Sequence, residues 1–406
     1  MLGSCECRYC SNYWLLLLIV FAISGVLVVL LLTVINMTIT EGTLGGLLFY
    51  CNIINSNITL FFPEPTCPFL TPLLKTFVSS LSFTLSGIPL CLYDGMNAYS
   101  VAWLSFVYPL YIWLIAGLLI LLGNKFSKLV RHNSVKVLAT LIILSYSTLL
   151  HTVIEALQVT YLHHDNGRGD YLWLKDGNIK YFKGKHIALV IFASLFGLIL
   201  LPFTFCLLCI QCLFKVSHYR MFLWVNRLKP FFDAYTGPFT ASGRFWTGLL
   251  LLARIVIYVV SATNFTSDQE MNVGAIGLTS FILLFTASML AAGLYKQRSL
   301  NILEHTLLFN LGLLSTFTIC SKYKTSIEIV THVCVGIAFF TFIGVILYHV
   351  KFLKVLRRAT RYIWLHVSRR QVQHEDLSDE DDYDQGMHSR FPPLAQFDQT
   401  REPLLD

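Results

Sequence analysis

Charged residues are what this sequence has least of. Only 13% of its 406 residues are Asp, Glu, Lys or Arg, against 55% hydrophobic, which is roughly half the charge that keeps a soluble domain's surface wet. That shortage argues against an ordinary water-soluble fold and offers nothing for a nucleic acid to bind. Catalytic signatures are missing as well: there is no H-E-x-x-H, no glycine-rich phosphate loop, no G-x-S-x-G and no pair of carboxylates at catalytic spacing within one loop. The chain is therefore not expected to be an enzyme, and no cofactor is implied. No internal repeat and no heptad run occurs, so solenoids and coiled coils drop out. The eleven cysteines fall into odd groups, which make no disulfide framework. Cys5, Cys7 and Cys10 have ligand-like spacing, but no nearby His or Cys completes a tetrahedral zinc site, and no metal is expected.

What the sequence does have is apolar residues gathered into blocks of about 20, long enough as helices to cross a ~30 Å hydrocarbon layer. The blocks are Trp14 to Ile35, Val101 to Leu122, Val135 to Leu157, Ile187 to Leu213, Trp246 to Ala262, Val273 to Leu294, Leu300 to Ile319 and Ile327 to Val350. The first is too long for the apolar core of a cleavable signal and reads as a retained span. A further apolar stretch, Leu44 to Phe62, is interrupted by Asn52, Asn55 and Asn57 and can span, re-enter or lie on the surface. The fold class expected is all-α: a polytopic transmembrane helical bundle of eight spans, or nine if that stretch crosses, with a cytoplasmic tail. The bilayer is its first partner; a homo-oligomer is left open.

Orientation follows from the basic residues in the connections, because cationic loops resist translocation. The loops after the second, fourth, sixth and eighth spans carry eighteen Lys and Arg against seven in the alternate loops, which puts the C-terminus in the cytoplasm. The rule does not fix the direction of the first span. Three Asn-x-Thr sequons stand at Asn36, Asn57 and Asn264. Asn36 abuts a span, so Asn57 and Asn264 are the candidate glycosylation sites.

A charge inside a span costs about 2.5 to 3.5 kcal/mol at its centre, so it marks a candidate functional residue. Arg254 is the clearest case. It lies eight residues after Trp246, roughly 12 Å into its helix, and calls for a buried partner such as Glu155 or Glu304, a bound phosphate, or snorkelling to the headgroups. The third block sets Thr148, His151, Glu155 and Gln158 on one helical face. That stripe either lines an aqueous cavity or hydrogen-bonds to neighbouring helices. Glu304 and His305 fall close to an interface. Between the third and fourth blocks, Asp176-Gly177 flanked by alternating apolar residues signals a hairpin. The same loop carries Arg168-Gly169-Asp170, an adhesive tripeptide when displayed on an exposed turn.

The domains read as a membrane domain over 1–350, a basic amphipathic helix over 351–373 and an acidic, disordered cytoplasmic tail over 374–406. In the second, Phe352, Leu356, Ala359, Ile363 and Val367 share one side of a helical projection and Lys354, Arg357, Arg358 and Arg361 the other. Those cations suit anionic inner-leaflet lipid headgroups, at ~1 kcal/mol each; a plain positive-inside stop signal is the alternative. Ser378, followed by Asp379, Glu380 and Asp381, fits an acidophilic kinase.

The stretch LKPFFDAYTGPFTASGRFWTGLLLLAR (228–254), with SNYWLLLLIVFA (11–22), CLYDGMNAY (91–99), FVYPLYIWL (106–114) and WLKDGNIKYFKGKHI (173–187), resembles an uncharacterised multi-span membrane module. That module is found at the C-terminal end of large extracellular proteins of sponges and cnidarians and is distantly similar to the TRP-like membrane domain. The resemblance implies a channel-like or transport module. It also implies a cysteine-rich ectodomain ahead of the first span, which would place Cys5, Cys7 and Cys10 outside. An outside N-terminus with a cytoplasmic tail needs an odd number of crossings, which Leu44 to Phe62 can supply. The chain departs from the family at Thr148 and His151, where relatives tend to carry basic residues. A receptor or adhesion anchor without pore activity is the second reading. In either case Pro230 and Pro238 are expected to interrupt helix in an aromatic elbow before the fifth span.

Overall fold

The structure is a computed structural model that describes residues 14–35, 39, 42–56, 97–122, 128–163, 169–210, 223–263 and 269–321, with Gly336, Phe340, Ile343 and Gly344. The chain divides into two compact units, Met1–Val350 and Lys351–Asp406, and all the described residues lie in the first. Asn57, Asn264, Lys354, Arg357, Arg358, Arg361, Ser378 and nearly all of the expected eighth span are outside the described residues.

Helix dominates because apolar runs have no water to satisfy their backbone groups and must close their hydrogen bonds internally. The helices are α1 (Trp14–Ile35), α2 (Thr43–Ser56), α3 (Ala98–Leu122), α4 (Lys128–Leu157), α5 (Lys185–Leu208), α6 (Leu223–Thr236), α7 (Trp246–Thr263), α8 (Gln269–Met289) and α9 (Arg298–Ser321). Among the described residues, three segments are long and apolar enough to cross a membrane: Ala98–Leu121, Ser134–Leu157 and Lys185–Leu208. The apolar helical segments Phe21–Leu30, Leu44–Asn55, Trp246–Ala262 and Ile276–Ala292 are shorter. Seven of the eight expected blocks thus carry helix, but the full count of crossings is not fixed by length and composition.

Hydroxyl groups in these helices are satisfied locally. Thr33, Thr140, Ser145, Thr152, Thr204 and Ser280 each donate to the carbonyl four residues back, which removes most of the cost of a buried polar group. At the start of α3, the Asn97 side chain accepts from the backbone N–H of Ser100 at 3.0 Å and caps the helix.

Burial separates an inner set of helices from an outer ring. In the span of α4, 78% of residues are buried, against 33% in α3 and 28% in α5. Leu18, Ile23 and Leu27 of α1, Leu114 and Leu121 of α3, Leu198 and Phe205 of α5, and Phe281 and Phe285 of α8 are exposed. These outward apolar residues form the surface that lipid would cover. Helix α2 is the innermost element: Leu44, Leu47 and every residue from Leu48 to Ile54 are buried, against α9, α7 and α4. At 1.5 Å per residue its 14 residues reach about 21 Å, short of the hydrocarbon thickness.

Helix directions follow from the paired residues. Phe21 and Ser24 meet Tyr108, the Tyr111 hydroxyl donates to the Ala22 carbonyl, and Gly25 faces Tyr111 and Ile112, so α1 runs parallel to α3. Past α1, the Ile39 N–H donates to Thr140 of α4 at 3.0 Å. The chain then reverses at Gly42, whose φ of +81° suits glycine. From there Gly46 faces Glu304, Tyr50 reaches Asn310 and Phe49 lies against Arg254, so α2 runs parallel to both α9 and α7.

The expected all-α class is incomplete. A three-stranded antiparallel sheet of β1 (Val159–His163), β2 (Gly169–Trp173) and β3 (Asp176–Lys180), in that order, follows α4. The register of β1 and β2 runs from Val159 opposite Trp173 to His163 opposite Gly169. The hairpin turn falls at Leu174-Lys175, two residues before the expected Asp176-Gly177, which instead opens β3. A register shift at Leu172/Trp173 accommodates the difference. Trp173 anchors the sheet: it is fully buried, its ring lies tilted against His186 at the start of α5 with centroids 5.1 Å apart, and it donates from Nε1 to the Glu155 carbonyl at 2.7 Å.

Candidate functional site

The polar stripe of α4 is divided between α7 and the sheet rather than gathered on one cavity. Thr148 is buried. The His151 ring meets Tyr258 of α7 edge-on at 5.8 Å, and its Nδ1 lies 3.5 Å from the Glu155 carboxylate. Gln158 donates to the Ala262 carbonyl of α7 at 3.1 Å. Glu155 turns to the sheet, where Lys175 is its ion-pair partner. Of the two readings of the stripe, these contacts favour hydrogen bonding between neighbouring elements.

Arg254, one helical turn before Tyr258, is 1% exposed, so it does not snorkel. The expected pairing with Glu155 is not made, because Lys175 holds that carboxylate. Instead Nη1 donates to Ser147 Oγ at 3.4 Å, and the guanidinium lies 5.2 Å from the Phe49 ring centroid of α2. Its Nε has no hydrogen-bond partner among the described residues. Among those residues no carboxylate lies in ion-pair contact with Arg254; Glu304 acts on it only through space. Ser147 and Phe49 escaped the sequence reading, although Ser147 lies four residues before His151, on the same face of α4, and that spacing could have signalled it.

Glu304 needs more explanation than a place near an interface. It is 3% exposed, with Trp246 donating from Nε1 to Oε1 at 3.1 Å and Tyr295 donating to Oε2. Gly46 of α2 leaves room for it: a Cβ there would stand 3.1 Å from the Glu304 carboxyl carbon.

The aromatic elbow packs onto the same knot. Pro230 lies inside α6 and does not break it, contrary to expectation, whereas Pro238 follows the helix end at Thr236. Tyr235 and Phe239 are buried rather than lying in the interface. The Tyr235 hydroxyl donates to the Ala139 carbonyl of α4 at 3.0 Å, and burial holds its pKa well above the ordinary tyrosine value. Beyond α6 the chain pairs with the loop between α8 and α9. Thr240 N–H donates to the Leu294 carbonyl at 2.9 Å, Lys296 N–H donates to the Pro238 carbonyl at 3.0 Å, and the rings of Phe239 and Tyr295 lie 4.6 Å apart.

Asn52 of α2 is buried, and neither amide atom has a partner among the described residues, while its carbonyl accepts from Tyr258 at 3.3 Å. The bundle interior thus holds Arg254, Ser147, Asn52, Tyr258 and Glu304 around α2. Among the described residues there is no group of three or more metal-ligating side chains.

The chain matches no family model, no curated protein and no solved structure.

Proposed function

We propose that the protein is a TRP-like channel or transport module crossing the bilayer nine times, with its N-terminus outside and its tail in the cytoplasm. The α1–α3 parallelism and the reversal at Gly42 support an outside-to-inside first span followed by the stretch Leu44 to Phe62, which opens with α2, as the odd crossing. The observation that carries the functional reading is Arg254: a fully buried guanidinium with no carboxylate in contact among the described residues, beside a buried helix too short to cross as a plain span. Intramembrane charges and half-length helices cluster where ions or solutes pass.

The purified full chain in liposomes under voltage clamp tests it. Wild type should pass current along an imposed ion gradient, and Arg254→Leu should abolish it or change its selectivity. Silent wild-type protein, shown by protease protection to be inserted in the proposed orientation, would overturn the reading.

The second reading, a receptor or adhesion anchor, is favoured by the sheet and the turn after it, which display Tyr161, Tyr171 and Phe182 at 52%, 63% and 54% exposure. The adhesive tripeptide supports it less. Asp170 lies in strand β2, with its carboxylate 3.0 Å from Lys180, rather than on a turn.

A further inference from the structure

A charge buried without a partner is costly enough that something normally balances it. The surroundings of Arg254 indicate where a balancing ion fits. A small cavity lined by Gly42, Gly45, Thr247, Leu250, Arg254 and Tyr295, among others, encloses about 20 Å³, room for about one water molecule or a monatomic ion. No lining residue is acidic. The first turn of α2 begins at Thr43 against this cavity. Its leading backbone N–H groups have no acceptor within the helix, and its dipole presents positive potential there. Gly45 bares the backbone, since nothing but Ile39, at 3.8 Å, stands near the place its Cβ would occupy. Two independent positive features, a helix N-terminus and a fully buried arginine whose Nε has no partner among the described residues, therefore line one cavity.

We propose that this cavity is a binding site for a single small monovalent anion, chloride, held between Arg254 and the N-terminus of α2. Its volume suits a single monatomic anion. The nearest acid, Glu304, is engaged by Trp246 and Tyr295 and lies behind Gly46, so it is the competing explanation of how the guanidinium is balanced. The inference does not depend on whether the protein conducts.

Thermal unfolding of the purified full chain in mild detergent tests it, at constant ionic strength with sodium chloride exchanged for sodium bromide or sodium gluconate. Chloride and bromide should raise the melting temperature saturably, by about 3 °C or more over gluconate. Arg254→Gln should remove that dependence. Gly45→Ala has space to fold and narrows the cavity, so it should shift the chloride midpoint at least about tenfold and serves as the deciding variant if Arg254→Gln does not fold. Wild-type protein that melts at one temperature in all three salts, or a Gly45→Ala response identical to wild type, would overturn the site and leave Glu304 as the counter-charge.

Discussion

Gly248 offers a measure of how closely α7 meets α5. A Cβ built at that position falls 2.4 Å from the Leu208 backbone nitrogen and 2.7 Å from the Leu207 carbonyl carbon, where ordinary contacts begin at 3.4 Å. Both obstacles are backbone, so no rotamer change relieves them and the helices must separate by about 1 Å. Overpacking of that kind costs about 1–3 kcal/mol. Gly117 of α3 is the control, because a Cβ there meets nothing within 4 Å. Gly→Ala gains about 0.5–1 kcal/mol of helix propensity at either site, so the difference between the two variants isolates the packing term. Gly248→Ala should thus be about 1–3 kcal/mol less stable than Gly117→Ala. Because membrane proteins in detergent often unfold irreversibly, the half-life at fixed temperature is the safer readout. If Gly248→Ala survives as long as Gly117→Ala, α5 and α7 do not pack at this point and the arrangement of the inner helices is wrong.

Trp246→Phe keeps an aromatic ring but deletes the donor to Glu304 and leaves a small void at a fully buried site, so it should cost at least about 1–3 kcal/mol of stability; Tyr295→Phe should couple to it non-additively, and simple additivity in denaturation would mean that the two do not share the carboxylate. A cysteine placed at the exposed Asn178, in β3, should react with an impermeant thiol reagent on intact cells beyond the background of the native cysteines; labelling only after permeabilisation would reverse the proposed orientation.

Spans α3, α4 and α5 were legible because unbroken apolar runs admit one solution in lipid, and their ends were foreseen within a few residues except at Lys128, where the helix begins before the apolar run, and at Leu208, five residues before the expected end of α5. The character of α2 was not legible. Asn52 and Asn55 within it, and Asn57 just after it, made it ambiguous, and only contact with α4, α7 and α9 shows that Asn52 faces the interior. Arg254 was recognisable by cost alone, whereas Glu155, one of the partners expected for it, is held by Lys175, twenty residues later, which is brought back by a sheet of which only one hairpin was visible in the sequence. Glu304 looked interfacial by position, but its burial depends on Trp246 and Tyr295 folding over it from elsewhere in the chain.

These contacts make the elbow and the Arg254 cavity one mechanical unit. Phe239 and Tyr295 line the cavity and also form the bridge that joins the α6–α7 connection to the loop before α9. Thr247, another lining residue, donates to the Tyr235 carbonyl at 3.1 Å and so ties α7 to the end of α6. Tyr235 in turn is fastened to α4 through Ala139. A displacement of α6 that broke the Pro238–Lys296 or Thr240–Leu294 pairing would move two walls of the cavity while Arg254 stayed fixed by α4 and α2 through Ser147 and Phe49. Close-packed elements of this kind shift between discrete arrangements rather than deforming continuously. The elbow is therefore the part of the fold through which an event at the α6 end would change what the buried guanidinium holds.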